Sequence, residues 1–150
     1  MLPVGTKAPE ISLPDQNGNI RTLSEFKGKK VLVFFYSKDN TSGCTRQAKG
    51  YSLLKDEFEK KGVHVIGISR DTASSHKNFE TKQELSITLL SDTEKKAITD
   101  YDVWKEKKLY GKTTAGVLRT TYLIDENGTV IYASDKVKAA EDAEKMLGLI

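Results

Sequence analysis

Cys44 is the only cysteine among 150 residues, and the residues around it could make its sulfur reactive. It ends the segment Tyr36-Ser37-Lys38-Asp39-Asn40-Thr41-Ser42-Gly43-Cys44, between an apolar run at 31–36 and a stretch with helical spacing. A cysteine in the first turn of a helix feels free N–H groups and the positive end of the helix dipole, which favour thiolate over thiol. Nearby cations would act in the same direction. Lys38 and Arg46 are local candidates, though both suit a solvated surface. Arg119 stands out more, because it is a charge inside the β-patterned run 117–124. It faces either the sulfur, if that strand lies beside 31–36, or water at a sheet edge. Thr41, three residues before Cys44, offers a hydroxyl to the thiolate or to a substrate, or serves as the helix N-cap.

The elements that must position these residues follow from periodicity. Residues 1–10, with Pro3, Gly5 and Pro9, read as an irregular lead-in. A short N-terminal β-hairpin follows, 11–13 against 20–23 across the turn signal Asn17-Gly18, then one helical turn at 24–28. The run 31–36 is apolar on both faces, as in a central strand covered on two sides. Cys44, Ala48, Tyr51, Leu54 and Phe58 recur at steps of three and four, predicting a helix over 43–61 stopped by Gly62. Strands at 63–69 and 88–90 alternate with helices at 73–85 and 94–101. A hairpin of 117–124 and 129–134 turns at 125–128, and a helix covers 139–147. This order predicts one α/β domain over 1–150, a thioredoxin-like fold with a central mixed sheet flanked by helices. Functional groups in such sheets gather beyond the strands' carboxyl ends, which is where Cys44 lies.

Composition narrows the function classes. The chain carries 24 basic and 21 acidic residues, a net charge of +3, spread too evenly for a nucleic-acid binder. No apolar run approaches the ~20 residues of a membrane span. Residues 1–5 lack the regions of a signal peptide, and a lone cysteine makes no disulfide within the chain, so the expected compartment is the cytoplasm. His64 reads as a strand-face residue and His76 as part of a polar helix. No cluster has metal-ligand spacing, and neither metal nor cofactor is expected. Lys105, Lys107, Lys108 and Lys112 read as a solvated basic loop. Trp104 lines the mouth of a pocket or packs in the core or at a subunit contact. A Cys-x-x-Cys pair would suit dithiol exchange; threonine at 41 argues against it.

Lys38-Asp39-Asn40-Thr41-Ser42-Gly43-Cys44-Thr45 resembles the active-site loop of the peroxiredoxins, of the bacterioferritin comigratory protein type. The resemblance runs through Gly5-Thr6-Lys7-Ala8-Pro9, Gly67-Ile68-Ser69, Leu89-Leu90-Ser91-Asp92, Val103-Trp104, Tyr110-Gly111-Lys112 and the segment from Arg119 to Asp125. It implies a thiol-dependent peroxidase in which Cys44 is the peroxidatic cysteine and is oxidised to sulfenic acid. Thr41 would orient the peroxide, Arg119 would be the cation beside the sulfur, and Gln47 would hold that arginine. Gly43, Ser37 and Trp104 complete the expected pocket. Three positions depart from the family pattern. Ser37 and Ser42 stand where prolines are usual, and Lys49 where many members carry a resolving cysteine. The implied partners are a hydroperoxide and an external thiol such as thioredoxin, acting on a monomer or weak homodimer. Two rivals remain: a peroxide-sensing or partner-binding module with a slow cysteine, and a thiol–disulfide oxidoreductase.

Overall fold

The computed structural model describes the backbone of residues 1–150 and every side chain except those of Lys107 and Leu109. Strands β1 (Ser12–Pro14) and β2 (Ile20–Thr22) form the expected N-terminal hairpin, and a 3-10 turn at Leu23–Phe26 leads to β3 (Lys30–Phe35). Helices α1 (Ser42–Leu53) and α2 (Lys55–Lys60) follow, then β4 (Val63–Ser69), α3 (Ala73–Gln83), β5 (Thr88–Ser91) and α4 (Lys96–Asp100). Strands β6 (Trp104–Leu109) and β7 (Lys112–Val117) form a second hairpin, and β8 (Thr120–Ile124), β9 (Val130–Ser134) and α5 (Asp142–Leu149) complete the chain.

The central sheet has the order β5-β4-β3-β8-β9. β3 runs parallel to β4 and antiparallel to β8, so the sheet is mixed, as its strand and helix order predicts. Its core lies on both faces, because alternate residues of β3 point to opposite sides. Val31, Val33 and Phe35 pack with Ile66, Ile68, Tyr101 and Tyr122. Leu32, Phe34 and Tyr36 pack on the other face with Cys44, Tyr51, Phe58 and Met146. The fit there is close: a Cβ at Gly67 would lie 2.7 Å from the Phe34 ring, so only glycine fits beneath it.

Three elements differ from the sequence expectation. The helix expected over 43–61 breaks at Leu54 (φ −100°, ψ 6°), although the apolar stripe continues through Leu54 to the buried Phe58. The expected basic loop is the β6–β7 hairpin, whose turn residues Tyr110 and Gly111 have φ of 51° and 75°. Two consecutive positive φ values suit the right-handed twist of a two-residue hairpin, and they hid it from a reading keyed to Asn-Gly turns. Of its lysines, the Lys107 side chain lies outside the described residues; Lys108 and Lys112 are exposed, and Lys105 pairs with Asp102 at 2.9 Å. Finally, Arg119 lies in no strand. β7 ends at Val117 and β8 starts at Thr120, so Leu118 and Arg119 form the junction. No helix among the described residues is long and apolar enough to cross a membrane.

Candidate active site

The register of β8 on β3 decides where Arg119 goes. Thr120 pairs with Phe35 at the carboxyl end of β3. The antiparallel strand therefore delivers the residue before Thr120 to the point where the chain leaves the sheet for α1. Arg119 Nη2 lies 3.3 Å from Cys44 Sγ, so of the two orientations open from sequence the guanidinium takes the inward one. Its approach also explains Gly43. A Cβ there would lie 3.3 Å from Nη2, tight enough to push the guanidinium away.

Cys44 is the third residue of α1, and only 1% of its surface is exposed. Burial pushes its thiol up. A main-chain hydrogen bond from Lys38, the hydroxyls of Thr41 and Ser37, and the Arg119 guanidinium outweigh that and bring it down to about 7. Ser37 Oγ lies 3.5 Å from Sγ, so this serine touches the sulfur. Thr41 occupies the N-cap position with extended backbone (φ −80°, ψ 152°), but its hydroxyl does not cap the helix. It donates to the Lys38 carbonyl at 2.8 Å. Its single proton is held by that carbonyl here and can turn to the sulfur, where it helps lower the thiol.

Gln47 is fully buried and accepts from Arg119 Nη1 through Oε1 at 2.5 Å. Its Nε2 donates to Asp142 Oδ2 at 3.1 Å, and the same oxygen accepts from Thr121 Oγ1 at 2.8 Å and from the Tyr51 hydroxyl. Lys38 and Arg46 are exposed, and neither side-chain cation bonds the sulfur among the described contacts; Lys38 acts on it only through its main chain. Trp104 is half-buried against the core of the opposite sheet face. Arg70 and Lys95 lie over its ring at 4.9 and 4.3 Å, and none of its described contacts reaches Cys44. An open cleft of ≈ 370 Å³ reaches Arg119 instead between Lys105 and residues 114–118.

The Cys44 loop is anchored by a group that sequence reading missed. No histidine–carboxylate cluster shows in the sequence spacing, yet in the fold Asp39, Asp71 and His76 bring their ligand-type atoms within 4.8 Å of one another. They come from two loops and α3, with Asp39 more than thirty residues before the other two, too far for motif spacing to show. Their atoms are engaged in hydrogen bonds. Asp39 meets His76 Nδ1 at 2.7 Å and accepts from Tyr36 at 2.6 Å and Ser75 at 2.8 Å. The Leu90 carbonyl lies 2.9 Å from His76 Nε2 and can only accept, so that nitrogen carries a proton. Asp39 N–H donates to Asp71 at 2.9 Å. These bonds fix the loop on both sides of Asp39, including the Lys38 main chain and Asn40, whose φ is 62°. His76, expected on a polar helix face, is fully buried.

Comparison with known proteins agrees with this geometry. Residues 4–133 match the model of the AhpC/TSA family. Peroxiredoxin Bcp of Escherichia coli K12 is 41% identical over 146 residues, 97% of this chain and 94% of that protein. A structure of the Xanthomonas campestris bacterioferritin comigratory protein, reported with alkyl peroxide reduction activity, aligns with TM-score 0.89 and 37% identity over 93% of this chain and 88% of that one. Xylella fastidiosa PrxQ aligns with TM-score 0.93 and 30% identity over 99% and 95% of the two chains. The chain therefore belongs to the AhpC/TSA family, as a peroxiredoxin of the bacterioferritin comigratory protein type.

Proposed function

We propose that this protein is a thiol-dependent peroxidase in which Cys44 is the reacting atom and Arg119 and Thr41 are its partners in the chemistry. The observation that carries the assignment is the 3.3 Å approach of the Arg119 guanidinium to a buried sulfur whose pKa lies at about 7. The thiolate attacks the nearer oxygen of a hydroperoxide in line with the O–O bond. That bond breaks, its electrons go to the far oxygen, and a proton taken up there releases water or an alcohol. Cys44 is left as sulfenic acid. The Arg119 donors face the position where charge develops and need no rearrangement as it does so. Thr41 can turn its hydroxyl from Lys38 toward the peroxide, while Gly43 gives the guanidinium room and Gln47 holds it.

With one cysteine per chain, the sulfenic acid is resolved from outside. One external thiol attacks it to give a mixed disulfide and water, and a second releases Cys44 as thiolate, so two thiols become one disulfide per peroxide. A thioredoxin-like dithiol in the cytoplasm, acting on a single-domain monomer or weak homodimer, fits this need. Stopped-flow peroxide consumption with dithiothreitol tests the assignment. Repeated turnover that is abolished by alkylating Cys44 or by Cys44→Ser supports it, and turnover that survives either treatment overturns it. Ser37 favours a second reading, a sensor with a slow cysteine, because its hydroxyl rests against the sulfur. That reading predicts one stoichiometric oxidation and no sustained turnover.

A further inference from the structure

Asp142 is the first residue of α5, and its side chain is buried, with 5% of its surface exposed. A carboxylate in that position needs a reason, since burying it without a directly bonded cation is costly. No described hydrogen bond links it to a cation. Oδ2 instead accepts three hydrogen bonds, from Gln47 and Tyr51 on α1 and from Thr121 on β8.

The chemistry of the chain Arg119–Gln47–Asp142 fixes the middle member. A guanidinium only donates and a carboxylate only accepts, whereas an amide does one at each end. Gln47 must therefore turn Oε1 to Arg119 and Nε2 to Asp142, as observed. The flipped amide would set its NH₂ against the guanidinium and its oxygen against the carboxylate. We propose that Asp142 is a positioning residue: it locks the Gln47 amide so that its oxygen holds the Arg119 guanidinium against the Cys44 sulfur. Asp142 touches neither the sulfur nor any atom that reacts.

Two effects of removing Asp142 have opposite signs, which makes the proposal testable. Deleting a buried negative charge would by itself favour the thiolate and lower the Cys44 titration midpoint. Losing the anchor frees Arg119 and raises it. The experiment is thiolate-absorbance titration of the full chain, without peroxide, for D142A, D142N, Q47A and the Q47A/D142A double variant. D142A is expected to raise the midpoint by about one unit, the scale of one charge-assisted hydrogen bond, and to cut the thiolate fraction at pH 7 about fivefold. D142N, which keeps an oxygen for the amide, is expected at or below the parent midpoint. The double variant is expected to match Q47A alone, because both residues act through one chain of bonds. A D142A midpoint at or below the parent overturns the proposal, as do additive shifts in the double variant. If D142A does not fold, D142S, whose side chain is too short to reach Gln47, is expected to show the same rise. The proposal rests on the peroxidase reading only in making this sulfur the reacting atom. Because the titration needs no substrate, failure of either leaves the other standing.

Discussion

Replacing Arg119 with methionine tests the proposed chemistry most directly. Methionine keeps much of the length and apolar stem of arginine but loses the charge and both observed donor contacts, to Sγ at 3.3 Å and to Gln47 at 2.5 Å. A hydrogen bond to a charged partner contributes about 1.5–3 kcal/mol. If about 1.4 kcal/mol of this acts on the resting thiolate, the Cys44 pKa rises by roughly one unit from its present value of about 7. The thiolate fraction at pH 7 then falls from about one half to about one tenth. Donation to the departing oxygen is lost as well, for a further factor of about ten. The expected second-order rate with hydrogen peroxide is therefore lower by about fiftyfold at pH 7. At pH 9.5 both proteins are fully ionised and the first factor vanishes, leaving about tenfold. Stopped-flow rates at the two pH values, with a thiolate titration, separate the factors. Parent-like rates for R119M at pH 9.5 would refute the transition-state role and leave Arg119 as a pKa device alone.

Gly43→Ala places a methyl 3.3 Å from Nη2, so peroxide rate at pH 7 should fall about tenfold while the thermal midpoint stays within a few degrees of the parent. Ser37→Ala removes a donor from the sulfur; its titration midpoint should rise by less than a unit, while the rate per thiolate increases. A slower thiolate in that variant would contradict the view that Ser37 restrains the nucleophile. His76→Phe leaves Asp39 and the Leu90 carbonyl without their buried partner, at about 2–4 kcal/mol, and thermal melting should fall by about 5–15 °C. Finally, Cys44 in the folded chain titrates at about 7, below the ~8.5 of a free thiol. Its contribution to stability is absent below pH 7, grows as pH rises, and is complete above about pH 8.5. Denaturant midpoints at pH 6 and pH 9 should show the parent gaining on Cys44→Ala between them.

How far the sequence revealed this site depended on what kind of signal each residue carried. Cys44 and β3 were legible because a lone cysteine after an apolar run carries its own context. Arg119 was legible as a charge among apolar neighbours, but its direction was not, because direction depends on the register of β8 with a strand more than eighty residues earlier. The helix break at Leu54 was hidden because the apolar stripe runs straight through it. Asp142 and His76 were illegible for a related reason. On their own helices they look like ordinary solvated polar residues, and only their partners, Gln47 and Tyr51 for one and Asp39 and Leu90 for the other, show that they are buried. Burial of a polar group depends on the whole fold, so no local pattern announces it.

The arrangement around Cys44 also shows why lowering a pKa cannot by itself make a peroxidase. Moving a thiol from about 8.5 to about 7 raises the thiolate fraction at neutral pH about fifteenfold. The same stabilisation weakens the nucleophile. With a Brønsted coefficient of about 0.4–0.5, taken from thiol–disulfide exchange, the loss is about fivefold, and the net gain is only about threefold. Further donors aimed at the resting sulfur would bring no more, since the optimum lies near ambient pH. In the proposed mechanism the guanidinium of Arg119 escapes this limit, because its charge, held by Gln47 beside the sulfur, also stabilises the oxygen that departs. A donor that binds the leaving oxygen more strongly than the resting thiolate lowers the barrier without dulling the nucleophile. Ser37 lacks that property, because its hydroxyl contacts the sulfur and brings no charge to the departing oxygen. On this argument, Ser37 and Arg119 both lower the pKa of Cys44, yet removing the first should quicken each thiolate and removing the second should slow it.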